Sequence, residues 1–187
     1  MTARKKLQLR FGILSAMIFV VAICRLIPHP PNFTPVGAMA LFGAAYFTRR
    51  IWAFVVPLVA MWMSDLLVTN VLYAEYYEGF QWFGGFGYTY LAIAMTAAVG
   101  FFWLRRVTVL TGLSSGLMAS LLFFVVTNFG VWAGSAMYPK SIAGLMACYT
   151  AGLPFLGNTL AGTLLFGAVM FGAYEWMIKP RLELARA

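Results

Sequence analysis

The chain has 187 residues, of which 63% are hydrophobic, 17% aromatic and only 10% charged, with a net charge of +8. An ordinary soluble domain is about 25% charged and about 45–50% apolar. A soluble protein of this size has too much surface to hide so much apolar material, so a soluble enzyme, a secreted disulfide domain, a disordered chain and a coiled coil are all excluded in favour of an integral membrane protein.

A helix needs about 20 apolar residues to cross the hydrocarbon core. The sequence predicts six such spans in a single integral membrane domain, residues 1–187. The first covers residues 11–27, interrupted only by Arg25 near its end. A basic stretch precedes it, as in a signal peptide, but no small-residue cleavage site follows, so the segment is expected to remain as a span. The second, 35–47, is short, and is expected to cross with local thinning of the bilayer. The third, 51–71, contains Pro57 and Asp65. The fourth covers 88–103, the fifth 109–132 and the sixth 159–177. None alternates strictly, so the fold class is all-α, a polytopic six-helix transmembrane bundle rather than a barrel.

The basic residues give the orientation. Arg4, Lys5, Lys6, Arg10, Arg49, Arg50, Arg105, Arg106, Lys179, Arg181 and Arg186 fall on one side of a six-span chain. Arg25 and Lys140 fall on the other, with acidic Glu75 and Glu78. This bias places both termini in the cytoplasm. It also makes the charge a topological signal, so no nucleic-acid partner is expected. The bilayer itself is the expected partner, in a bacterial inner (cell) membrane.

With that orientation, the polar residues of the spans gather at the outer end. Asp65, Thr69 and Asn70 are in the outer third of span three, and Thr127 and Asn128 near the outer end of span five. Asn158 and Thr159 open span six, Arg25 closes span one, and Asn32 and Thr34 precede span two. Asp65 stands as the one intramembrane carboxylate, and the cytoplasmic ends carry arginine pairs without a comparable Asn or Asp cluster. Ionisable groups inside a span face a cavity or a partner. The group therefore predicts an outward cavity, although Asn158 alone also fits a helix cap and Asp65 a structural bridge to Arg25.

Three outer loops would cover it. The first, residues 28–32, is stiffened by prolines around His29. The second carries Tyr73, Tyr76, Tyr77, Phe80, Trp82, Phe83 and Phe86 with Gly84, Gly85 and Gly87. The third, 134–157, holds Tyr138, Lys140 and Tyr149, and is long enough to predict a short helix or lid. Its aromatic residues fit an interfacial belt or a ligand stack, with Trp82 and Trp132 the best stacking candidates. Small-xxx-small pairs occur at Ala40/Ala44, Gly112/Gly116 and Ala168/Gly172, and predict close helix packing or a docking face for another subunit.

No catalytic constellation is present. There is no Walker motif, and a single histidine excludes HExxH. Residues 112–116 match G-x-S-x-G by chance, in an apolar helix far from His29. The two cysteines, Cys24 and Cys148, have no metal-type spacing. The sequence thus predicts no enzyme, no cofactor and no metal.

The segments Asn32-Phe33-Thr34-Pro35-Val36-Gly37-Ala38-Met39-Ala40 and Thr127-Asn128-Phe129-Gly130-Val131-Trp132 resemble a family of small bacterial membrane proteins classed as a domain of unknown function. More loosely, the layout resembles the substrate-binding S component of energy-coupling factor vitamin transporters. That resemblance implies an outward ligand site beneath the outer loops, a transmembrane coupling subunit and separate ATPases. The expected function is then capture of a small, vitamin-like solute, with Arg25 and Lys140 attracting an anionic group. Trp82 and Trp132 would cover a planar part. Asp65, Asn128 and Asn158 would hydrogen-bond the ligand, with Asn32 and His29 at the rim. An accessory or assembly subunit of a membrane complex is the alternative.

Overall fold

The computed structural model describes residues 2–83 and 87–184. Gly84, Gly85, Phe86 and Arg186, named above, lie outside the described residues. The described chain is all-α, with six helices. Helix α1 is Ala3–Ile23, with Thr2 as its N-cap accepting from the Lys5 amide, and a tighter last turn at Cys24–Leu26. Its charged first turns extend the helix well before the apolar run, because Lys, Arg, Gln and Ala are good helix formers. Helix α2 is Val36–Tyr46, and α3 is Arg50–Leu67, continued by a wider turn at Val68–Leu72. Helix α4 is Gly87–Trp103. Helix α5 is Val109–Gly134, opened by a reciprocal capping box between Thr108 and Thr111. Helix α6 is Ile142–Gly172, and it runs on through a widened stretch, Ala173–Ile178, to Lys179–Leu184.

Four of these helices are long and apolar enough to cross a membrane, while α2 and α4 are shorter apolar helices. Large side chains stay exposed on the flanks, including Val20, Val109, Ile142 and Trp176. Such a surface suits lipid, which solvates apolar side chains as well as a core does. The chain is thus a multi-pass membrane protein. Each connection reverses the chain, so both termini share one end of the bundle, here called proximal, and the loops after α1, α3 and α5 share the other, distal end.

Helix α2 is the centre of the bundle and packs against all five other helices. At 11 residues it is about 16 Å long, half the hydrocarbon core. Residues 27–35 make up the missing depth. They descend from the distal end beside α6, where a Cβ on Gly162 would lie 2.8 Å from the Thr34 amide nitrogen and 2.9 Å from its carbonyl oxygen. Gly162 is what lets that strand of backbone sit against the helix. Gly43 similarly seats α2 on Ala53 and Pro57 of α3, and Gly100 of α4 faces Ala44. Among the small-residue pairs, Ala40/Ala44 therefore works as close packing. Around Phe42 and Tyr46, rings from Phe171 and Tyr174 complete an aromatic core at 4.3–5.8 Å between centroids.

The largest departure from the sequence reading is α6. It starts at Ile142, so residues 134–157 contain no separate helix or lid, and only 135–141 connect α5 to α6. Ser141 caps the start by accepting from the Gly144 amide at 3.2 Å. Gly144, Gly152, Pro154 and Gly157 lie inside the helix. Pro and Gly are tolerated in helices packed within a membrane bundle, since neighbours re-satisfy the backbone. Asn158 consequently sits deep inside α6 and does not open or cap a span.

Candidate functional site

Three polar clusters occupy the bundle, and among the described residues one of them borders a cavity. The first joins the turn after α1 to α3 and α4. Arg25 Nη2 pairs with Asp65 Oδ1 at 2.7 Å, and the Tyr90 hydroxyl donates to Asp65 Oδ2 at 2.6 Å. Arg25 Nη1 donates to the Ser64 hydroxyl and, at 3.4 Å, to the Met61 carbonyl. Both charged side chains are about nine-tenths buried, at 13% and 9% exposure. Each oxygen of Asp65 therefore has a donor already. A buried carboxylate needs this much compensation simply to remain charged. Arg25 and Asp65 thus form the structural bridge, and neither faces the cavity described below.

The second cluster lies at the proximal end. Tyr46 donates to Glu175 Oε1 at 2.8 Å, Lys179 pairs with Glu175 Oε2 at 2.7 Å, and Arg10 Nη2 donates to the Tyr46 carbonyl at 2.8 Å. It ties α1, α2 and the end of α6 together. The sequence reading took Asp65 as the one intramembrane carboxylate. Glu175 corrects that point: it lies within the predicted sixth span, next to Tyr174, and that position was the available signal.

The third is a distal cavity of about 320 Å³ between α5 and α6, with α4 and the segment before α2 closing it. The antiparallel pair α5–α6 frames it, since Cys148 donates to the Asn128 carbonyl at 3.4 Å and Tyr149 to the Val125 carbonyl at 2.8 Å. Phe123, Val131 and Phe155 give it apolar walls, and Asn32, Thr89, Thr127, Asn128 and Tyr138 give it polar ones. Gly152 makes room for the Asn128 amide, which a methyl group at that position would strike. Asn128 Nδ2 donates to the Phe124 carbonyl at 2.8 Å, which leaves its Oδ1 without a partner among the described residues. Thr127 donates to the Phe123 carbonyl at 2.7 Å and keeps acceptor capacity. The side chains of Asn32, Thr89 and Tyr138 make no hydrogen bond among the described residues. Asn32 is at the rim with φ 63°, a left-handed conformation that Asn tolerates better than most residues.

Of the residues expected from sequence to bind ligand, the cavity brings together Asn32 and Asn128. The others have different employment. Asn158 Nδ2 donates to the Pro31 carbonyl at 2.9 Å and anchors the first loop to α6. Trp132 Nε1 donates to the Pro139 carbonyl at 2.9 Å, and the Lys140 ammonium lies 5.6 Å from the Trp132 ring centroid. Lys140 also donates to the carbonyls of Trp132 and Ser135, so it closes the carbonyl end of α5. Trp82 is exposed, stacks edge-on with Phe80 at 4.9 Å, and accepts from Trp62 through its carbonyl. His29 is exposed in its proline-flanked loop. Asn70 bonds in both directions with Gln81, at 2.7 and 2.9 Å, and pins the second loop. Thr89 carried no sequence signal, because a threonine early in an apolar helix is common.

The small-residue pairs Gly112/Gly116 and Ala168/Gly172 do not seal a helix contact along their length. They line an open apolar groove of about 450 Å³ at the proximal half of α5 and α6. No curated protein and no solved structure matches the chain. A family of unknown function, DUF6580, matches residues 5–185, and over that nearly complete length the chain belongs to it.

Proposed function

We propose that the chain is a membrane-embedded substrate-binding subunit for uptake of a small, vitamin-like solute, comparable in role to the S component of energy-coupling factor transporters. The observation that carries this reading is the distal cavity, where Asn32, Thr89, Asn128 and Tyr138, each with hydrogen-bonding capacity unused among the described residues, line one open pocket. A pocket with apolar walls and a few convergent hydrogen-bonding groups is the usual form of a small-molecule site, and about 320 Å³ lies at the small end of that range.

The chemistry of the lining narrows the solute. Arg25 is committed to Asp65, and Lys140 to the end of α5. No charged side chain is among the cavity-lining residues. The solute is accordingly an uncharged ring or short chain with both hydrogen-bond donors and acceptors. Asn128 Oδ1 would accept from it, and the hydroxyls of Thr89 and Tyr138 would donate to it.

The basic bias of the proximal loops supports a reading in which the termini are cytoplasmic, the membrane is a bacterial inner membrane and the cavity opens outward. Uptake then requires a transmembrane coupling subunit and ATPases supplied by other chains. The test is mass spectrometry of small molecules released from the purified protein, followed by thermal shift against a vitamin library. A co-purifying neutral solute that stabilises wild type and not Asn128→Ala is the expected result. A protein that is reproducibly empty and shows no shift overturns the reading.

A further inference from the structure

The proximal groove is independent of the distal cavity and lies in the opposite half of the bundle. It runs along α6 from Thr163 to Trp176, about 20 Å at 1.5 Å per residue, and along α5 from Val109 to Gly116. Its floor is smooth because Gly112 and Gly167 have no heavy atom within 4 Å of where a Cβ would stand. Its walls are lipid-facing side chains: Val109 is 80% exposed and Trp176 83%.

Its length and lining bear on what covers it. One leaflet's hydrocarbon is about 15 Å thick, close to the length of the groove. The groove is open along its side and lined almost wholly by apolar side chains, surroundings that suit an acyl chain.

Charge supplies the remaining argument. The proximal end of the groove begins at Val107 and Thr108, and the two residues before them are Arg105 and Arg106. Both are exposed and make no ion pair or hydrogen bond through their side chains among the described residues. Glu175, at the same end, is neutralised by Lys179 at 2.7 Å. A cationic rim at the membrane surface above an apolar slot complements an anionic headgroup above an acyl chain.

We propose that this groove is a binding site for one anionic phospholipid of the proximal leaflet. An acyl chain lies over Gly112 and Gly167, and the phosphate sits on Arg105 and Arg106. The lipid fills the space that the small residues leave between α5 and α6, and so completes the proximal half of the bundle.

Native mass spectrometry of the full chain tests this, using equimolar dioleoyl phosphatidylglycerol and dioleoyl phosphatidylcholine as probes. Wild type is expected to retain one phosphatidylglycerol with about thirtyfold preference, given two arginines at the surface. R105Q/R106Q, changed only at exposed positions, keeps a bound lipid but loses the preference. Gly167→Leu grows into the groove and loses lipid of both kinds, while Gly157→Leu, also in open space but outside the groove, matches wild type. The proposal is overturned if R105Q/R106Q keeps the preference or if Gly167→Leu binds lipid as wild type does. A second protein chain retained in place of lipid overturns it as well.

Discussion

Breaking the Arg25–Asp65 bridge separates a structural role from a ligand role. The perturbation is a double-mutant cycle: Arg25→Gln, Asp65→Asn and the two together. In the folded chain the pair is 2.7 Å apart and about nine-tenths buried, and Asp65 also accepts from Tyr90 at 2.6 Å. Removing one partner of a buried pair strands the other charge, at a cost of about 3–5 kcal/mol. Residual exposure of 13% and 9% lets some water relieve the stranded group, which puts each single variant near the lower figure, about 3 kcal/mol. In Asp65→Asn the side chain keeps one acceptor oxygen for the two donors that now use both, and Arg25 is left with only the neutral Ser64 and Met61 oxygens. In Arg25→Gln, Asp65 keeps Tyr90 but loses its counter-ion.

The double variant removes both charges and leaves neutral groups that can hydrogen-bond each other. It is expected to cost about as much as one single variant rather than the sum of the two, with a coupling energy of about 3 kcal/mol. Unfolding of each variant in mixed detergent micelles, followed by helical circular dichroism, measures the cycle. Solute binding by the double variant should match wild type, because neither residue lines the cavity. The reasoning is refuted if each single variant costs less than about 1 kcal/mol, or if the double variant costs the sum of the singles.

Three further outcomes follow from the geometry. Gly162→Ala forces a methyl group to within 3 Å of the Thr34 backbone, which has no flexible end to yield, and should lower unfolding stability by about 1–3 kcal/mol; Gly167→Ala, in open space, should not. Tyr46→Phe removes the neutral donor to Glu175 and should cost about 1.5–3 kcal/mol, measured by the same unfolding assay, while Tyr174→Phe, whose hydroxyl does not bond Glu175, costs less. Gly152→Ala drives the Asn128 amide into the cavity and should abolish the solute-induced thermal shift while the circular dichroism spectrum stays unchanged.

Depth was legible in the sequence and azimuth was not. The basic clusters, the apolar runs and the reversals predict six helices with the termini at one end, and the fold has them. The same reasoning put Asn32, Asp65, Asn70, Asn128 and Asn158 near one end, but their roles depend on which way each side chain faces. A helix that is apolar all round carries no stripe to mark its inward face. Asn128 turns toward the cavity, whereas Asn70 turns toward Gln81 and Asn158 toward Pro31. The α6 boundary failed for another reason. Gly144, Gly152, Pro154 and Gly157 would weaken a helix in water, where a freed carbonyl can be solvated outside the helix. In a membrane that option is missing, so the helical path is kept despite them.

Both open spaces in the bundle have one cause, the length of α2. At about 16 Å it packs beside α5 and α6, which are about 39 Å and 46 Å long. Distal to its first turn, α5 and α6 have no central helix to pack on, and the turn through Asn32 is too small to fill the gap; the cavity is what remains. Alongside it, Gly43 and Ala44 draw α2 close to α3 and α4, and only Ala38 and Leu41 reach the groove from its other side. Prolines at 28, 30, 31 and 35 keep the preceding segment non-helical and prevent α2 from growing backwards by another turn. A second helix of full length would occupy the cavity with its own side chains and brace α5 and α6 apart along their whole height. The short helix is therefore the feature from which the proposed solute site and the proposed lipid site both follow.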